Sequence, residues 1–242
     1  ARELLRRMAD TYASAKTYVD RTRTRHRHTR GTSVTEDRRS FATFLDRSRG
    51  YRVDSVDGDS PRTPLLWTGP ISGDDRIRIR LFVQSLSLGP LGPAAMVTLP
   101  SLLLPSAVGR SLVDDLHDTR VDGRGNVGAS RCHRVFGHWS DHTEVTLWLD
   151  EDTFLIRRLE DKTEYPSARE AAELRDAHLG RRDRAVAVGV SRDVIEHAFG
   201  AEKLLAQPHW PYARPRQDAL SLTTVAYEPC LDIPIDPATF VR

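Results

Sequence analysis

By type and spacing, nine histidines, two cysteines and a row of arginines are the residues of this chain that could do chemistry. Cys132, His133, His138 and His142 crowd one short run, and these are the donor types that zinc prefers. In an extended strand, however, Cys132 and His138 share a face while His133 points away, so three ligands from this run would need a bend at Gly137. His26 and His28 share a face two residues apart, with no obvious third ligand. No metal is assigned to either group, and the histidines are read as solvated or hydrogen-bonded. Nucleophile signatures are missing as well. Gly189-Val190-Ser191 runs on into Arg192 and Asp193, so the second glycine of a nucleophile elbow is not there. H-E-x-x-H, Walker A, G-x-G-x-x-G and C-x-x-C patterns do not occur. The residues therefore assign no catalysis and no cofactor.

The arginines fall on the odd positions Arg21, Arg23, Arg25 and Arg27, with Thr22, Thr24, His26 and His28 between them. Such a ladder reads either as a grip on an anion, such as a lipid headgroup or a nucleic acid backbone, or as a solvent-facing row paired with carboxylates such as Glu36 and Asp37. The second reading fits the whole chain better. Its 36 basic residues meet 34 acidic ones for a net charge of only +2, and no aromatics interleave the ladder to stack bases. No nucleic acid partner is expected. Apolar residues at 39% and charged residues at 29% describe a globular chain rather than a disordered one.

The elements that would position these residues alternate in period. Leu4, Leu5, Met8, Tyr12 and Ala15 recur at helical spacing, and from Tyr18 to Arg30 the period becomes two, with both faces polar. Strands are expected over Ser40–Leu45 and Gly50–Val56. A loop follows from Gly58 through Pro61 and Pro64, and Arg76–Val83 reads as a half-buried strand. Ser111–His117 is a short helix. Cys132–His138, Glu144–Leu149 and Leu155–Glu160 form the clearest sheet signal. Between Glu164 and Asp218 the pattern turns helical, with Ser167 and Glu170 at capping-box spacing, before a last strand over Ser221–Tyr227. The sum is an α+β, antiparallel chain. Leu91–Val108 is strongly apolar, yet Pro93, Pro100 and Pro105 break the helix that a membrane span would need. It is either a plug packed permanently in the core or a mobile lid over an apolar cavity. Cys132 and Cys230 make one possible disulfide if the protein is exported, and two free thiols otherwise.

Three stretches together resemble the LolA/LppX-like lipoprotein-carrier superfamily, which includes RseB-type sensors. They are the opening helix Leu4–Asp10 with its run through Ala15-Lys16-Thr17-Tyr18, and Val127-Gly128-Ala129-Ser130-Arg131-Cys132-His133-Arg134-Val135 followed by Val145-Thr146-Leu147-Trp148-Leu149-Asp150, and the closing Ile233-Pro234-Ile235-Asp236-Pro237-Ala238-Thr239-Phe240. The likeness covers about the first 160 residues and the last 25, and Phe154 stands where the family hairpin often has glycine. The resemblance implies an incomplete, half-open antiparallel β-barrel with helices over its concave face. It implies one such domain over residues 1–242, with a helical insertion at about 164–218. It also implies an exported, periplasmic or cell-envelope protein, signal peptide removed, with room for a lipid anchor before Ala1. The implied function is non-enzymatic binding of a lipid or lipoprotein acyl chain, by a monomer. The alternative is an envelope sensor or scaffold holding a protein partner, with a filled barrel. On the carrier reading, the cavity or lid residues are Leu81, Val83, Met96, Val97, Leu99, Leu102, Leu103, Leu104, Val145, Leu147 and Trp148.

Overall fold

The first helix, α1 (Arg2–Ser14), forms where Leu5, Met8 and Tyr12 recur one turn apart. All three are fully buried, while Arg6, Arg7 and Asp10 face solvent. Glu3 sits in the first turn, at the positive end of the helix dipole, and pairs with Arg6 and Arg7. These coordinates are a computed structural model that describes residues 1–56, 62–69, 93–108, 111–140, 143–164 and 219–241.

After Ala15 the backbone extends into β1 (Thr17–Arg30), and period two takes over: Tyr18, Asp20, Thr22 and Thr24 are buried, and the odd-numbered arginines are exposed. A two-residue turn with Gly31 at φ +53° returns the chain as β2 (Ser33–Asp46), which pairs with β1 over its whole length. β3 (Gly50–Ser55) and β4 (Arg62–Thr68) continue the meander. Three helices follow, α2 (Pro93–Leu103), α3 (Pro105–Val108) and α4 (Leu112–Asp115). Then come β5 (His117–Val127), β6 (Ser130–Ser140), β7 (Thr143–Asp150), β8 (Ile156–Glu164), β9 (Ala219–Tyr227) and the two-residue β10 (Cys230–Leu231). A 3-10 turn, Pro237–Phe240, closes the tail.

Every strand pair is antiparallel, in the order β4-β3-β2-β1-β9-β8-β7-β6-β5, with β10 pairing with the start of β1. Among the described residues the sheet is open, with β4 and β5 as its two edges. One face, called inner below, carries the core. There Leu5, Met8 and Tyr12 of α1 and Leu99, Leu102 and Leu103 of α2 join Leu45, Val145, Leu147, Leu159 and Val225 of the strands. Tyr12 ties helix to sheet directly, its hydroxyl accepting the Ile156 amide at 3.1 Å.

Arg47, in the turn between β2 and β3, holds the helices to each other. Its guanidinium donates to the carbonyls of Ala15 and Ala13 (each 2.7 Å) at the end of α1, and to that of Leu103 (3.0 Å) at the end of α2. A cation at two helix C-termini satisfies carbonyls that have no intrahelical partner.

Several expectations are corrected. The stretch read as a proline-bearing loop contains β4, and Pro64 is tolerated there because β4 is an edge strand. β5 was not anticipated at all, and the helix expected over Ser111–His117 is only Leu112–Asp115. The disulfide does not form. Cys132, buried on β6, and Cys230, exposed on β10, are both free. β10 lies on the β9 side of β1, three strand spacings from β6 along the sheet, ~14 Å, well beyond disulfide reach. The strand expected over Arg76–Val83 and the helical insertion at 165–218 lie outside the described residues. No helix among the described residues is long and apolar enough to cross a membrane.

Candidate functional site

The inner face is the site that these elements build, and it has two characters. Toward α1 and α2 it is apolar: Leu99, Leu102, Leu103 and Leu104 are all 4% exposed or less, and Val145 and Leu147 of β7 are buried in the same core. α2 carries no polar stripe, so a helix of this composition is stable only when surrounded by other side chains. Met96 and Val97 lie in α2, but their side chains, like all of Leu81 and Val83, are outside the described residues. Trp148 points the other way from Leu147. On the outer face it lies beneath the guanidinium groups of Arg134 and Arg158 (5.1 and 5.4 Å to the ring) and donates to Glu160 at 3.1 Å. The structure thus brings together six of the expected residues and places Trp148 elsewhere.

Farther along the strands the inner face becomes polar. Register lays Asp37, His26, Thr223, Asp161 and Val145 side by side on β2, β1, β9, β8 and β7. The next inward row is Thr35, His28, Ser221, Thr163 and Thr143. His26 Nδ1 is 3.1 Å from the Thr223 hydroxyl, His28 Nδ1 is 3.3 Å from that of Ser221, and the Thr143 and Thr163 hydroxyls are 3.2 Å apart. Thr223 also bonds the Asp161 carboxyl. Burial outweighs that bond and lifts Asp161 to about 7. Burial likewise pushes His26 down, against the pull of Asp37.

Nearer α1 lies a second buried carboxyl. Asp20 accepts from the Glu228 amide (2.7 Å) and from the Thr22 hydroxyl, but burial still lifts it to about 6. Buried tyrosines Tyr12, Tyr18, Tyr51 and Tyr227 surround it, and burial raises each phenol well above its ordinary value. Oδ2 of Asp161 has no hydrogen-bond partner among the described residues. Sequence reading missed this cluster. The even positions of β1 were visible as one face, but nothing in their types said that it would be the buried one.

The arginine ladder occupies the opposite face. Arg23 pairs with Glu228 (2.5 Å) and Arg25 with Glu36 (2.6 Å), and Glu36 also takes Arg38 (2.7 Å). Exposed pairs of this kind contribute little stability, and they engage Arg23 and Arg25, two of the four ladder arginines. Among the described residues, no group of three or more histidine, cysteine or acidic side chains is placed to hold a metal ion.

The sequence motifs land on structural joints. Asp150 ends β7 and gathers the turn, accepting from the Thr153 (3.0 Å) and Asp152 (3.2 Å) amides and from Arg157 (3.1 Å). Burial alone would raise its carboxyl, but the Thr153 bonds and Arg157 hold it down at about 2. Phe154, in place of the glycine, adopts φ +59°, so the turn keeps a left-handed residue despite the side chain. In the tail, Asp232 accepts the amides of Lys16 and Thr17, Asp236 caps the 3-10 turn, and Arg52 donates to the Thr239 carbonyl (2.6 Å).

The class so defined is an open antiparallel sheet with an apolar helix bound on a face that is half greasy and half hydrogen-bonding. Several solved structures are similar to this chain at low identity. The lipoprotein LppX of Mycobacterium tuberculosis is 9% identical, with 97% of this chain and 96% of that one covered, at a TM-score of 0.37. A LolA superfamily protein from Nitrosomonas europaea is 9% identical over 100% and 97%, at 0.26. The MucA/MucB complex of Pseudomonas aeruginosa gives 18% identity over 67% of this chain and 51% of that one, at 0.28. No protein-family model and no curated protein matches the chain.

Proposed function

We propose that this is a non-enzymatic cell-envelope binding protein that holds a lipid or lipoprotein acyl chain between its sheet and α2. On this reading the open sheet is a half-barrel, α1 and α2 cover its concave face, and residues 1–242 form one domain with a helical insertion at about 164–218. The protein works in the periplasm or envelope, as a monomer. The observation that carries the proposal is α2 itself. It is a strongly apolar helix, with Pro100 inside it and only Thr98 and Ser101 as polar side chains, and its described side chains are buried against an open sheet. Such a helix is a stopper of the same chemistry as the guest that would replace it. Leu99, Leu102, Leu103 and Leu104 then form the displaceable lid, and Val145 and Leu147 the wall behind it. Met96, Val97, Leu81 and Val83 remain proposed members of the same lining.

A second reading, an envelope scaffold or sensor that binds a protein partner, is favoured by one feature. The described inner face is filled by the protein's own side chains, with Leu5, Met8, Leu103, Leu147 and Leu159 all at 0% exposure. Titration with a fluorescent acyl probe, together with native mass spectrometry of the purified protein, separates the two. A carrier takes up the probe or retains a lipid, and a scaffold with a permanently filled interior does neither.

A further inference from the structure

The proposed acyl chain accounts only for the apolar part of the inner face. Two adjacent rows on β1, β9, β8 and β7 are, apart from Val145, occupied by hydroxyls, imidazoles and a carboxyl; Ser221, Thr223, Asp161 and Thr143 are buried at 2% to 7% exposure, and His26, His28 and Thr163 are half-buried. Core positions of a sheet normally carry apolar side chains, and buried polar groups persist where something satisfies them. Here a chain of hydrogen bonds runs from His26 through Thr223 to Asp161 and stops there, leaving Asp161 Oδ2 buried without a partner among the described residues. An unsatisfied buried oxygen at the end of such a chain is a vacancy for a donor.

The charge around it selects the donor. The ladder arginines lie on the outer face, and Arg39 beside Thr24 is already engaged by Asp37 at 3.1 Å. Among the described residues, an anionic headgroup would therefore meet a carboxyl with no free cation to offset it. A hydroxyl, by contrast, can donate to Asp161 and accept from the neighbouring side chains. We infer that the Asp161, Thr223, Ser221, Thr143, His26 and His28 rows form a subsite for the uncharged, hydroxyl-bearing headgroup of an amphiphile whose acyl chain occupies the apolar half. This inference rests on the acyl-binding proposal and names the ligand class within it.

Three ligands with one acyl chain and different headgroups test it: monooleoylglycerol, oleate, and oleoyl lysophosphatidylglycerol. Each competes against a fluorescent acyl probe on the full chain at pH 8. Monooleoylglycerol is expected to bind at least roughly tenfold more tightly than either anion. In Asp161→Asn that preference should shrink to roughly two- to threefold, with oleate binding more tightly once the carboxylate is gone, and in Thr223→Val it should shrink similarly while oleate affinity stays unchanged. Equal binding of the three ligands, tighter binding of either anion, or a preference untouched by both substitutions overturns the headgroup subsite and leaves acyl binding standing. Failure of all three to displace the probe, or of the probe to bind, overturns the acyl-binding proposal and the subsite with it.

Discussion

Replacing Asp161 with asparagine should make the protein more stable at alkaline pH, a result opposite to what loss of a paired carboxylate would give. The folded chain holds the Asp161 proton up to about 7, whereas the ordinary value is 3.8. Between those limits the native state binds more protons than the unfolded one, so this residue's contribution is fully present below about pH 4 and is lost as pH rises through 7. A rise of roughly three units corresponds to an upper limit of about 4 kcal/mol, at ~1.4 kcal/mol per unit. The side chain is only 6% exposed, so solvent screening removes little of it. Asparagine keeps the shape and a hydrogen bond to Thr223 but cannot ionise. The groups facing Asp161 from neighbouring strands are Thr223 and Tyr227 on β9, with His26 on β1 beyond Thr223. His26, pushed down by burial, contributes with the opposite sign, so the wild-type slope alone is ambiguous and the difference between the two proteins is the quantity to read. Urea unfolding followed by tryptophan fluorescence at pH 4.5, 6 and 8 should give near-equal stabilities at the lowest pH and a gap of up to about 4 kcal/mol in favour of the variant at pH 8. A constant difference across pH, or a variant weaker at pH 8, would refute the assignment of Asp161 as a buried carboxyl without a cation.

The other expectations are shorter. Arg47→Met removes a guanidinium bonded to the carbonyl ends of both α1 and α2, and should cost about 3 kcal/mol in urea unfolding, with Arg47→Lys recovering only part. Gly125→Ala would place a Cβ 2.7 Å from the Trp148 ring, so it should destabilise by about 1–2 kcal/mol, and less in a Trp148→Leu background when the double-mutant cycle is measured. Phe154→Gly should be about 1 kcal/mol more stable than Phe154→Ala, because alanine keeps the left-handed strain and both lose the Arg7 contact over the ring. Acyl-chain length should gate uptake. A palmitoyl probe is expected to bind and an octanoyl probe to fail in the same titration, and equal affinity for both would show that α2 is not displaced.

The alternating threonines and arginines of Tyr18–Arg30 made β1 legible, and the apolar alternation of Val145, Leu147 and Leu149 did the same for β7. β5 was illegible for a physical reason. His117–Val127 is an exposed edge strand with glycines at 123 and 125, so no apolar face marks its period. The first half of β2, Ser33–Arg39, escaped notice likewise, because an exposed hairpin arm carries polar residues on both sides. The leucines of α2 announced burial but not their partner. The polar rows could not be foreseen, because Ser221, Thr223 and Asp161 meet only through a register linking β1, β9 and β8, and β9 follows β8 by more than fifty residues. Trp148 was misplaced by reading its motif as one apolar block, although strand parity alone sets it opposite Leu147.

The two halves of the inner face together set how a guest could enter. Expelling Leu99, Leu102, Leu103 and Leu104 from their buried positions costs about 1.5–3 kcal/mol each, or roughly 6–12 kcal/mol for the helix face. A sixteen-carbon chain buried in their place returns ~0.8 kcal/mol per methylene, about 13 kcal/mol, and an eight-carbon chain about half that. On the acyl-binding proposal, long chains would therefore exchange with α2 near balance, which would permit loading and release, while short ones would not open the site. An exchange so close to neutral provides little selectivity between lipids of equal length. On that proposal discrimination would come from the polar rows, where Asp161 Oδ2 is unpartnered among the described residues. The plug competes only for the apolar half of the site, and the polar half is where one guest can be told from another.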